Sequence, residues 1–157
     1  MIGYRSRMRF LAVLFFLLIT SVISAFPGVV INEIQYNPVS DLTDDEYLEL
    51  FNTSYDSIDL GGWTFREGIL FTFPSGTAIP PRGFLVVVPN QDRFRQTYGD
   101  IPSPIVGNFT KNLSNSGEKV TLADALGAVQ AEVAYSDKWP WNPDADGSGR
   151  SLERIDP

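Results

Sequence analysis

The stretch VVINEIQYNP, residues 29–38, sets the reading of the chain. Residues 29–36 are rich in β-branched side chains, and Asn37-Pro38 ends the run, because proline has no amide hydrogen to give a ladder. DEYLELFN, residues 45–52, follows with a two-residue alternation. It puts Glu46, Leu48 and Leu50 on one face of a strand and Tyr47, Glu49 and Phe51 on the other. In IDLGGWTF, residues 58–65, Gly61-Gly62 precedes Trp63, the pattern of a bulge or bend that aims an indole inward. Phe71 and Phe73 alternate with Thr72 before Pro74-Ser75-Gly76, and Pro80-Pro81-Arg82-Gly83 forms a second turn. The apolar run 84–88 fits a strand buried on both faces. Residues 92–98 are the one helical candidate, a single turn. Further strands are predicted over 105–109, 119–123 and 129–135, the last two joined as a hairpin by Asp124-Ala125-Leu126-Gly127, with 151–155 as the closing strand. Strands at this spacing, without amphipathic helices between them, predict an all-β antiparallel sandwich over 29–157. Trp63, Leu48, Leu50, Phe73, Val86 and Leu122 are its expected core.

Composition agrees. A chain of 157 residues is one domain's worth, long enough to bury a core. Thirteen glycines and eleven prolines suit many short strands joined by tight turns. The absence of cysteine excludes disulfides, a thiol nucleophile and a lipid-modified cysteine. The absence of histidine removes the commonest general base and metal ligand, leaving only hard oxygen ligands for a cation.

Arg5, Arg7 and Arg9 precede the apolar run 10–23 and the small residues Ser24 and Ala25, so residues 1–25 read as a signal peptide. The run falls short of the about 20 apolar residues that span a bilayer, and a retained signal anchor is the alternative reading. The expected location is therefore secreted or in the cell envelope, with membrane contact only through an uncleaved signal. Three of the 12 basic residues lie within that segment and all 19 acidic ones after it, so the remainder sets nine cations against 19 anions, a net charge of −10. Such a chain repels phosphate backbones, and no nucleic-acid partner is expected. The charge keeps an exported domain soluble.

Seven signatures occur in fixed order: VVINEIQYNP, DEYLELFN, IDLGGWTF, FTFPSGT (71–77), GFLVVV (83–88), LSNSGEKVTLADALG (113–127) and DADGSGRSLERIDP (144–157). In this order and spacing the chain resembles the lamin tail domain family in its exported bacterial form. The resemblance implies an immunoglobulin-like β-sandwich that binds or displays and does not catalyse. It also implies structural roles for the motif residues Asn32, Glu33, Glu46, Trp63 and Gly117, with Glu33 and Glu46 as a structural polar pair. Members of this kind are often fused to hydrolases, nucleases or spore-coat-type kinases and usually continue beyond the last motif. The resemblance thus implies a lamin tail domain over 29–157 that is truncated at its C-terminal end, part of a longer protein.

Glu46 and Glu49 are the obvious acid–base candidates, but residues three apart on a strand point to opposite faces and cannot share one substrate atom. Asn142, Asp144 and Asp146 precede Gly147 with the alternating oxygens of a calcium loop. The third ligand and the twelfth-position glutamate of that loop are missing. Glu153 stands at the tenth position counted from Asp144, so Asp137 or Asp41 would have to contribute. The competing reading is an Asx-rich turn that caps its own backbone. Asn52, Asn108 and Asn112 begin glycosylation sequons and are also turn formers. Trp139-Pro140-Trp141 offers two indoles beside the acidic loop, suited to stacking on a sugar face or seating in a partner's pocket. The resemblance implies that Trp141 packs and leaves Trp139 unexplained. The function expected is a non-catalytic extracellular or envelope binding and targeting module for a protein or cell-surface glycan. No cofactor is expected, calcium at Asp144 and Asp146 being the possible exception. The alternative is a carboxylate- or calcium-dependent hydrolase, or an accessory domain of one, for which no nucleophile elbow, metal-ligand triad or phosphate loop is present.

Overall fold

The computed structural model describes residues 28–155; the expected signal segment, 1–25, and residues 156–157 lie outside them. Two sheets face each other. The first has the order β11-β1-β2-β7-β8, built from Leu152–Glu153, Val29–Gln35, Tyr47–Asn52, Phe84–Val88 and Ile105–Gly107. The second has the order β10-β9-β4-β5, built from Val129–Ser136, Gly117–Ala123, Thr64–Glu67 and Phe71–Thr72. A two-residue ribbon of β3 (Ile58–Asp59) with β6 (Ala78–Ile79) closes one side. The result is an all-β, immunoglobulin-like sandwich.

Alternation explains which residues meet between the sheets. Leu48 pairs with Val87 and Leu50 with Leu85 across β2 and β7, and all four are buried together with Phe65, Phe73, Val120 and Leu122 from the opposite sheet. The intervening positions of β7 are buried as well, which the unbroken apolar run 84–88 requires. Val86 and Val88 pack against Phe94 on the outer face, under helix α1 (Gln91–Tyr98), with Tyr47, Ile101 and Ile105 around them. Val86 therefore belongs to this second cluster and not to the core between the sheets. Trp63 also departs from expectation: it is half-buried and packs against the edge of the main core. The cause is local, because the chain turns at Leu60–Trp63 (Trp63 N–H to the Leu60 carbonyl, 2.9 Å) and splits the expected strand 58–65 into β3 and β4.

Two further elements differ from the sequence reading. Helix α1 has eight residues where a single turn was expected. Its first turn is capped by Asn90, whose side chain accepts the Arg93 amide at 3.0 Å. The helix carries the chain back across the sheet, so β8 pairs with β7 in parallel, an exception in an otherwise antiparallel sheet; a parallel neighbour needs a long crossover of this kind. In β1 the register shifts between Ile31 and Glu33, making Asn32 the extra residue of a bulge. The 124–127 turn closes as expected. Asp124 caps it by accepting the Leu126 and Ala128 amides, both at 2.9 Å.

The helix is tied down by one carboxylate. Asp45 is fully buried and receives Arg93 in a two-pronged pair (Nε to Oδ1 and Nη2 to Oδ2, both 2.7 Å). Thr97 donates to Oδ1 at 2.8 Å, Ser40 to Oδ2 at 2.5 Å, and Tyr98 donates to the Asp45 carbonyl at 2.8 Å. The Arg93 bond first, then those of Ser40 and Thr97, outweigh burial and pull the carboxyl down to about 2. Replacing Asp45 by Ala leaves two hydroxyls and a partly exposed guanidinium without their acceptor, and the expected loss is about 2 kcal/mol. Chemical denaturation measures that loss, and hydrogen exchange should locate the loosening in residues 91–98. An unchanged midpoint would show that the helix rests on its apolar face alone.

Candidate functional site

The sandwich end that carries loop 137–150 is assembled from the inside outward. Tyr36, at the end of β1, stacks against Tyr135 of β10 with ring centroids 4.9 Å apart, bridging the two sheets. The next residue, Asn37, donates from its side chain to Asp146 Oδ1 at 2.7 Å and accepts the Gly147 amide on its carbonyl at 3.1 Å. Gly147 has φ +75°, a left-handed conformation that favours glycine. A short 3₁₀ turn, Pro143–Ala145, precedes it. Asn142 caps this turn by accepting the Asp144 amide at 3.0 Å, and Ala145 is buried in the main core. Asp144 pairs with Arg150 at 3.1 Å, and Ser148 donates to the Asp144 carbonyl.

The expected ligand residues are thus placed plainly. Asp144 and Asp146 serve the loop, one holding Arg150 and the other Asn37. Among the described residues no group of three or more acidic side chains is gathered as a metal cage. The buried Tyr36 hydroxyl is held above its ordinary range, by burial first and then by Asp146 and Asp137. The loop's two indoles part company. Trp141 is half-buried and packs against the core, while Trp139 is 91% exposed. The backbone beneath them is fixed: the Trp141 amide donates to the Lys138 carbonyl at 3.0 Å.

The motif carboxylates are elsewhere and apart. Glu33 faces outward and accepts the Tyr47 hydroxyl at 2.5 Å and the Ser151 hydroxyl. Glu46 lies ahead of β2 and not within it; it is buried and accepts the Leu113 amide at 2.9 Å. The two therefore sit on opposite faces of the first sheet and do not form the expected polar pair. Glu33 is opposite Glu49 and Glu153 instead. Asn32 in the bulge donates to Glu49 at 2.9 Å. Gly117 has φ +102°, and a Cβ there would stand 2.4 Å from the Tyr135 carbonyl oxygen, so β9 can start this close to β10 only with glycine. Of the sequon asparagines, Asn52 is fully buried with its amide shared between the Asp56 and Pro80 carbonyls, whereas Asn108 and Asn112 are exposed. Sequence reasoning missed Asp45, because its partners Ser40, Arg93 and Thr97 are dispersed along the chain.

Glu46 is the carboxyl whose chemistry is most altered. Burial raises it to about 7 against the opposing Leu113 hydrogen bond, and Glu118 and Asp44 add to the rise. No cation offsets it among the groups that act on it. Glu118 holds the same loop, accepting the Ser114 amide at 2.8 Å and pairing with Lys111 at 3.4 Å. The folded chain keeps the Glu46 proton between its ordinary value of 4.5 and about 7, where the unfolded chain has lost it. Stability should therefore fall as pH rises through that window and level off above it. Glu46→Gln keeps the volume and an acceptor for Leu113, and should flatten the decline, gaining on the order of 2–3 kcal/mol at pH 8. Denaturation curves at pH 5, 6, 7 and 8 check this. A parallel decline in both proteins would assign the pH dependence to another group.

The model of one protein family, described as Lamin Tail Domain, matches residues 23–137, well over half of the chain. No curated protein gives a significant match.

Proposed function

Since the chain belongs to the lamin tail domain family, whose members are immunoglobulin-like and non-catalytic, we propose that it is an exported binding or targeting module of the cell envelope or extracellular space. The observation that carries this reading is Trp139. An indole 91% exposed, on a loop pinned by Asn142, Asn37–Asp146 and Asp144–Arg150, is a costly thing to leave in water and a ready anchor for a partner. The partner is a protein or a cell-surface glycan, either of which seats an indole against a flat or concave apolar surface. The non-catalytic reading is supported by the use of the carboxylates: Asp45 is saturated by Arg93, Thr97 and Ser40, and Glu46 is buried on a backbone amide. Export is supported by the three arginines, the apolar run and the small residues Ser24 and Ala25 after it.

Trp139→Ala should lower retention of the purified domain on envelope fractions and immobilised surface polysaccharides by tenfold or more, with a melting temperature unchanged within about 2 °C. Equal retention of both proteins would remove the loop from recognition. Hydrolysis of a glycoside or phosphoester that is lost with one carboxylate would replace the binding reading with catalysis. Mass spectrometry of the protein recovered from its host should find an N-terminus after residue 24 or 25; an intact N-terminus in the membrane fraction would identify a retained anchor instead.

A further inference from the structure

A second surface lies along the side of the sandwich. β10 is outermost in its sheet: it pairs with β9 on one side and, among the described residues, with no strand on the other. It is eight residues long, and alternate residues of an edge strand turn their N–H and C=O groups outward. In the facing sheet β11 is outermost and covers Glu33 and Ile34 of β1, with the Arg154 amide reaching the Asn32 carbonyl at 2.8 Å. Between these two edges a groove of about 270 Å³ opens. Ile31, Ile34, Ala131, Val133, Trp141 and Leu152 make it apolar, and Glu132 and Glu153 line it from opposite walls.

Charge gives the groove a sign. Glu153, Glu33 and Glu49 lie directly opposite one another across β11, β1 and β2, an arrangement of like charges that costs stability. None of the three is ion-paired among the described residues. Glu49 is held above its ordinary range by burial and then by Glu33 and Glu153. Glu132 shares Lys119 with Glu67, and Arg154 is the one cation lining the groove. The lining thus carries two carboxylates against one guanidinium, with Glu33 and Glu49 continuing the row beside it, and this excess would be relieved by cations brought from outside. A second copy of this acidic chain would worsen it.

Going beyond the loop reading, we propose that this groove receives an extended segment of a partner polypeptide with alternating apolar and cationic side chains, which pairs with the open edge of β10. The backbone of the segment continues the β10-β9-β4-β5 sheet. Its apolar side chains, two residues apart, enter the groove, and its lysines or arginines face Glu132 and the row that ends at Glu153.

The test uses an octapeptide of alternating valine and lysine, the same peptide with alternate amides N-methylated, and a valine–glutamate octapeptide. The valine–lysine peptide should bind and slow hydrogen exchange in residues 129–136. The N-methylated and glutamate peptides should bind at least tenfold more weakly. Ala131→Arg, which places a cation in the groove, and Glu153→Lys, an exposed charge reversal, should each weaken binding tenfold or more with an unchanged fold by circular dichroism. Trp139→Ala should leave it untouched, which separates this surface from the loop. Equal binding of the N-methylated or the glutamate peptide, or slowed exchange elsewhere than β10, would overturn the proposal. So would a dimer in sedimentation that Ala131→Arg dissolves, since the groove would then belong to a second copy.

Discussion

The run of five apolar residues in β7 is the constraint from which the rest of the molecule follows. Alternate side chains of a strand leave on opposite faces, so Leu85 and Val87 demand cover on one side and Val86 and Val88 on the other. The first demand is met by the second sheet, through Phe65, Phe73, Val120 and Leu122. The second is met by α1, an amphipathic element of two turns with Phe94 as its one buried side chain. So small an apolar face does not hold a helix by itself. Asp45 supplies the missing attachment, and its four side-chain hydrogen bonds from three residues fix the helix in place. The crossover that places the helix also delivers β8 parallel to β7. A hydrophobic pattern in five residues thus accounts for the sandwich, the helix and the parallel pairing of β8 with β7.

What could be read from the sequence follows the same logic. The two-residue alternation of 45–52 and the unbroken apolar run of 84–88 specify a strand and its faces without help from distant residues. The first forms a strand from Tyr47 onward, and the second is buried on both faces from Leu85 onward, Phe84 staying exposed. The 124–127 hairpin was legible because Asp124 caps its own turn within four residues. Burial that depends on a partner far away in the chain was not. Nothing near Val86 says whether a sheet or a helix will cover it. Nothing near Asp45 announces Arg93, 48 residues on. Trp63 was expected in the core from the two glycines before it, but those glycines end a strand instead of bulging one, and the indole stops at the core's margin. The pairing of Glu33 with Glu46 failed for a geometric reason: the Asn32 bulge and the register of β1 on β2 put Glu33 opposite Glu49.

In a chain without histidine or cysteine the carboxylates are the chemistry available, and their settings differ sharply. Asp45 is buried with a cation and is held down; Glu46 is buried without one and is held up. Glu33 and Glu49 are half-covered in a row of like charge with Glu153. The first two settings are explained inside the fold, one by the helix and the other by the 111–117 loop. The row is not, because a structure optimised for its own stability would place a lysine opposite Glu33.

The two surfaces are unlike in kind. Trp139 stands on a loop whose own hydrogen bonds keep it in place whether or not anything binds, so it offers area at little cost in ordering. The groove offers little area but an unfinished sheet, whose backbone groups reward any extended chain and whose side chains then select among chains. Its selectivity has to come from charge, because Ile31, Ile34 and Val133 accept any apolar residue of suitable size, whereas Glu132 and Glu153 tolerate a lysine and repel a glutamate. An acidic rim has a further consequence for the domain itself. Long open edges invite pairing between copies, and a row of carboxylates beside this edge makes each copy a poor partner for the next, so the feature that admits a cationic strand is also the one that keeps the edge from closing on itself.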